Sequence, residues 1–123
     1  AQFTDTARAP TVLVNVSNIG WFGNTVAIDQ HLNISRMRAL EFARPMLRAT
    51  NTGATVVIDA QGRVTYALAR HTRSTLVAQV QGADGLTFHA RWVSRFGLAP
   101  WWLLGGAVLL LAALARRRSA RHR

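Results

Sequence analysis

Residues 29–50 read DQHLNISRMRALEFARPMLRAT, a helical pattern that runs into a proline and then into a short strand-like run. At about 3.6 residues per turn, Ile28, Leu32, Ala39, Leu40, Phe42 and Ala43 share one arc, and Gln30, Asn33, Arg38, Glu41 and Arg44 occupy the other. The pattern predicts a helix over 29–44 with one face on a sheet and Asp29 as its N-cap. Pro45 disfavours helix at Arg44 and has no donor to continue it, so the helix should stop there. Beyond it, 46–50 (MLRAT) and 55–59 (TVVID) read as strands around a turn at 51–53, and 59–63 (DAQGR) is a turn with Gly62 where positive φ is needed. Val64, Tyr66 and Leu68 alternate with polar or small residues, as do Leu76, Ala78 and Val80 in the segment from Ser74. Residues 46–80 are therefore expected to form an antiparallel meander. Upstream, 11–16 (TVLVNV) is apolar on both faces, as in a strand inside a sandwich, and 18–24 (NIGWFGN) is a glycine-flanked aromatic loop. Strand, helix and strands together define an α/β class, with 82–95 as a linker.

Residues 96–115 contain no charge. Twenty helical residues reach about 30 Å, the thickness of a bilayer's hydrocarbon core. Trp101 and Trp102 sit near one boundary, Pro100 suits a first helical turn, and Arg116, Arg117, Arg118, Arg121 and Arg123 follow the other boundary with no acid among them. A buried core helix rarely stays uncharged for so long and then meets five arginines. The expected organisation is a soluble part at 1–95, a transmembrane helix at 96–115 and a basic tail at 116–123. Arginine-rich flanks stay inside, so the tail is expected in the cytoplasm and the soluble part outside, in the periplasm of a Gram-negative cell. Basic residues abutting an apolar span orient it in the membrane, and nucleic acid is not an expected partner.

The chain has 123 residues, a net charge of +10, 50% hydrophobic and 16% charged residues, which excludes a disordered or fibrous class. All the basic residues are arginine; lysine and cysteine do not occur. Disulfides, thiolate metal sites, a cysteine nucleophile and a Schiff-base lysine are thereby excluded within this chain. Starting at Ala1 with neither an initiator Met nor a signal-like segment, it is expected to be a piece of something longer. His31 has no second ligand at metal spacing nearby, so no metal site is expected, and it reads as a hydrogen-bonding group on the helix surface ahead of a general acid or base. Glu41 is expected to pair with Arg38 or Arg44, Arg36 to need a carboxylate or carbonyl partner if buried, and Asn51 and Gly53 to serve the turn.

Residues 15–23 (NVSNIGWFG), Gln30-His31, 36–41 (RMRALE), 48–53 (RATNTG), 58–64 (IDAQGRV) and 85–92 (GLTFHARW), followed by the apolar helix, resemble the apolipoprotein N-acyltransferase family of the nitrilase superfamily. Ile19 stands where that family usually has Asp after Ser-Asn, and Phe88-His89 where it has Tyr and Pro before Ala-Arg. The resemblance implies the C-terminal part of an α-β-β-α sandwich held on the inner membrane. It also implies a reaction without cofactor: a monomeric enzyme moves an acyl chain from a phospholipid to a cysteine, and then to the N-terminal cysteine of an apolipoprotein. The Glu-Lys-Cys triad of such a family maps nowhere here and is expected upstream of Ala1, so that the chain alone is inactive. Asn18, Trp21 and Phe22 are the candidate substrate-binding residues, the aromatics either lining the acyl or lipoprotein entrance or plugging the sandwich. Two other readings are a membrane-tethered nitrilase-like amidase and a noncatalytic membrane-anchored interaction module.

Overall fold

The computed structural model describes residues 8–121. The helix of the 29–50 stretch, α1, spans Ala27–Phe42. It starts ahead of the expected cap: Val26 occupies that position in helical backbone with no side-chain cap bond, and Asp29 lies in the first turn. There its carboxylate opposes the positive end of the helix dipole and pairs with Arg70. The other end closes as Pro45 demands. Ala43 takes the left-handed conformation (φ 48°) and donates to the Ala39 and Leu40 carbonyls, and Arg44 N–H reaches Ala39 O at 2.9 Å. This pairing satisfies the last carbonyls of the helix and turns the chain into the sheet.

The sheet has four strands in chain order, β1 (Leu13–Ser17), β2 (Met46–Thr50), β3 (Val56–Ile58) and β4 (Val64–Ala67). β1 and β2 are parallel with α1 as the crossover, while β2, β3 and β4 form antiparallel hairpins. Leu13 faces Met46 and Met46 faces Ile58 across the strands, and these side chains point toward α1. With Ile19, Ile28, Ala39, Ala54 and Val56, and with Leu32 at the margin, they form the core. The opposite face carries the row Val14, Leu47, Val57 and Tyr66. Val14 and Val16 are 69% and 80% exposed, so β1 is covered on one face only, where an apolar strand on both faces was expected to be interior.

Three further expectations are corrected. Residues 74–80 do not join the meander: Leu76, Ala78 and Val80 are half-buried and Val77 is exposed, yet among the described residues the segment has no strand partner. Alternation specifies an extended chain with one inward face, and it leaves the ladder partner undetermined. Here Gln79, Val80 and Gln81 instead lie beside Val57, Ile58 and Tyr66 around a cavity of about 490 Å³. On α1, Leu40 is 52% exposed while Ser35 is buried, because the inward position is taken by a contact to Arg48 described below.

The third correction is the linker, which contains a helix, α2 (Phe88–Phe96). Thr87 caps it, accepting from Ala90 N–H at 3.0 Å while its hydroxyl donates to Glu41 O at 2.6 Å. The approach to α2 is held by Arg44, which is 1% exposed. Its guanidinium donates to Pro10 O at 2.7 Å, to Asp84 O at 3.3 Å and to Gly85 O. Gly97, at φ 53°, ends α2, and α3 (Ala99–Arg121) follows. Ala99–Arg116 is long and apolar enough to cross a membrane, and none of it is buried.

Candidate functional site

In a sheet with a parallel pair joined through a helix, ligand sites gather beyond the carboxyl ends of the strands. Beyond Ser17 and Thr50 lie 18–24 and 51–53, the two segments that bring Asn18, Trp21 and Phe22 together. Asn18 Oδ1 accepts from its own loop at Gly20 N–H, 3.2 Å, and from Asn51 Nδ2 across the strand ends at 2.7 Å. Asn51 Oδ1 in turn accepts Ile19 N–H at 3.0 Å. The two asparagines clamp the loops together. Between them a single 3₁₀ turn, Gly20–Phe22, projects the aromatics. Trp21 Nε1 donates to Asn18 O at 2.9 Å, and Thr25 Oγ1 to Phe22 O at 2.8 Å.

Within this chain Trp21 is 81% exposed and Phe22 44%. Ile19, between Asn18 and the aromatics, is 1% exposed. It packs against Gly53 so closely that a Cβ there would lie 2.1 Å from Ile19 Cδ1. The residue that departs from the family pattern is thus a core side chain in this fold.

Beneath the loop, Phe22 meets the His31 ring at 6.5 Å between centroids. His31 Nδ1 is 2.7 Å from Arg48 Nη2. A guanidinium has no acceptor, so Nδ1 accepts and a neutral imidazole carries its proton on Nε2. Arg48, 2% exposed, also donates to Ser35 Oγ, to His31 O at 3.2 Å and to Ala54 O at 3.1 Å. Burial pushes its guanidinium below the usual arginine value, because a desolvated cation is offset here by carbonyls and hydroxyl with no carboxylate.

Asn51 as a cross-strand clamp and Arg48 as a buried anchor were not singled out as site residues from the sequence. For Arg48 a signal existed: in MLRAT the two-residue period puts it on the same face as Met46. Glu41 pairs with Arg38 at 2.6 Å, one of the two expected partners, at the opposite end of α1 from the loop. Arg36 finds carbonyl help, donating to Gly62 O at 2.8 Å. Among the described residues, no group of three His, Cys, Asp or Glu side chains stands where it could hold a metal ion. This edge carries an exposed aromatic surface on a braced loop.

The family model of the carbon–nitrogen hydrolases matches residues 6–85, and the chain belongs to that family. Among curated relatives, it is 64% identical to the apolipoprotein N-acyltransferase of Verminephrobacter eiseniae over 80% of this chain and 20% of the relative. It is 55% identical to that of Ralstonia nicotianae over 98% of this chain and 22% of the relative, and 53% identical to that of Bordetella bronchiseptica over 91% and 20%. The chain thus spans about a fifth of the length of the curated relatives it matches.

Proposed function

We propose that this chain is the C-terminal part of an apolipoprotein N-acyltransferase, and that the loop of Asn18, Trp21 and Phe22 is its contribution to substrate binding. The observation that carries the reading is the exposed aromatic pair on a loop braced by the Asn18 to Asn51 hydrogen bond at the carboxyl ends of parallel strands. An apolar acyl chain from a phospholipid donor, or the lipid-bearing N-terminus of an apolipoprotein acceptor, suits such a surface. The bare sheet face with Val14, Val16 and Leu47 supports the same reading, since in an α-β-β-α sandwich a second sheet packs against it. The nucleophile and its partners then belong to upstream segments, the chain having neither cysteine nor lysine. In this reading residues 1–95 belong to the periplasmic domain of a monomeric enzyme. Residues 96–115 cross the inner membrane, and 116–123 stay in the cytoplasm.

The test is a chimaera in which the chain replaces the corresponding C-terminal fifth of the Verminephrobacter eiseniae relative. Acyl transfer to a lipoprotein acceptor is expected to survive the exchange and to fall at least tenfold (about 1.4 kcal/mol) with Trp21→Ala and Phe22→Ala together. A folded chimaera without transfer would overturn the assignment, and full activity in the double variant would remove the loop from the binding site. The chain alone should form no hydroxylamine-sensitive acyl intermediate.

A further inference from the structure

α2 is the element that this reading leaves without a task. Phe88, Trp92 and Phe96 follow one another at helical spacing, and their rings are in contact, 6.0 Å between the first pair of centroids and 4.8 Å between the second. All three are exposed, Phe88 at 79%. The rotation of the helix is fixed from the other side: Ala90 is buried, His89 stands edge-on to Phe42 at 5.9 Å, and the Thr87 hydroxyl is bonded to Glu41 O. The aromatic stripe therefore cannot turn inward.

Arg91 and Arg95 border the stripe. Arg91 donates to Leu86 O, and the Arg95 guanidinium carbon lies 5.9 Å over the Phe96 ring. Among the described residues the ion pairs are Arg38 with Glu41 and Arg70 with Asp29, so neither of these arginines faces a carboxylate. A cleft of about 240 Å³ opens among Phe88, His89 and Trp92. The exposed apolar surface then continues past Gly97 through Leu98, Trp101 and Trp102 into the unburied length of α3.

We propose that α2 is an interfacial helix that lies along an anionic membrane surface, its aromatic stripe at the acyl boundary and Arg91 and Arg95 on lipid phosphates. The inference rests on the reading of α3 as a membrane span. Continuity selects the occupant: a helix whose apolar stripe runs through one glycine into a spanning helix is held at the depth where that span enters the bilayer. Aromatic rings favour this layer, and long cationic side chains beside them reach out to the headgroups. The positive φ of Gly97 permits the change of direction between a helix lying along the surface and one crossing it.

The chain's lack of cysteine makes the test direct. The full chain is reconstituted in phosphatidylcholine vesicles with and without phosphatidylglycerol, carrying one spin label at Phe88→Cys, Trp92→Cys, Val108→Cys or Ser74→Cys. Depth is read from collisions with oxygen against a water-soluble nickel complex. Labels at 88 and 92 are expected between the aqueous Ser74 value and the hydrocarbon value of Val108, with an oxygen-to-nickel ratio several-fold above that of Ser74. The label at 88 should move outward with Arg91→Gln and Arg95→Gln only when phosphatidylglycerol is present. Labels at 88 and 92 as aqueous as Ser74, with Val108 in hydrocarbon, would overturn the interfacial helix and leave the span standing. An aqueous Val108 would overturn the span and the inference with it. Dipolar broadening between labels at 88 on separate chains would assign the stripe to a second copy, and depth indifferent to both arginines would remove their phosphate role.

Discussion

Asp29 is the residue whose role changes most between pattern and structure, from cap to first-turn anion paired with Arg70. The hydrogen bond from Arg70 holds its carboxyl below the ordinary value of 3.8, against the opposing effect of desolvation. A carboxyl depressed in the folded state stabilises the fold above its unfolded value, and that contribution is lost as pH falls through the folded value. Asp29→Asn should accordingly lower thermal stability on the neutral side and remove part of its loss between about pH 5 and 2, so that the two curves meet at the acid end. Because the pair is exposed, the difference should shrink in high salt. Ala43 offers a change of opposite sign. Left-handed backbone costs a non-glycine residue roughly 1–2 kcal/mol, while glycine costs about 0.4–1 kcal/mol more unfolded-state entropy. Ala43→Gly is therefore expected to stabilise by about 0.5–1 kcal/mol, read by denaturant unfolding in detergent.

At the level of elements, what was legible followed from chain-local physics. Pro45 stops α1, and β2 falls on 46–50 as expected, because a missing donor and a fixed φ act within a turn of the residue that causes them. The parallel pairing of β1 with β2 depends on where α1 lies, and no local period encodes it. The same limit explains 74–80: its alternation is visible in the exposure pattern, but partnership is decided by what stands beside it. The helix in 88–96 does have a local signal, since Thr87 is a capping residue and Phe88, Trp92 and Phe96 repeat every fourth position. In the site, exposure of Trp21 depends on Ile19 taking the interior place, which is a fact about packing. Arg44, between α1 and β2, ties two further segments to them, and its replacement by Ala removes bonds to Pro10, Asp84 and Gly85 together. Hydrogen bonds to a charged group contribute about 1.5–3 kcal/mol, so Arg44→Ala should destabilise by roughly 3 kcal/mol. It should also speed amide exchange in 83–86 before the sheet opens.

Across the whole molecule the two sides of the sheet are unequal. One is closed by α1 over a continuous core, and the other shows Val14, Val16 and Leu47 to solvent. Apolar side chains exposed side by side on a sheet face are what a partner surface covers. Residues 1–95 alone are thus expected to keep secondary structure yet to bind hydrophobic dye and associate, as followed by gel filtration and calorimetry. A monomeric, cooperatively melting species would mean that the bare face needs no partner.

The contact of Ile19 with Gly53 has a consequence for how such a sequence can drift over time. A methyl at 53 would collide with Cδ1 of a side chain that is 1% exposed, so Gly53→Ala first is a step that overpacking penalises by about 1–3 kcal/mol. Ile19→Val removes the colliding atom at about 0.5–1.5 kcal/mol, after which the second change meets Cγ1 of residue 19 at 3.1 Å and Thr50 Oγ1 at 3.3 Å. The two substitutions commute in the final sequence and not along the way: lineages descended from this chain can reach the pair by shortening position 19 first, and the opposite order is the one purifying selection would close.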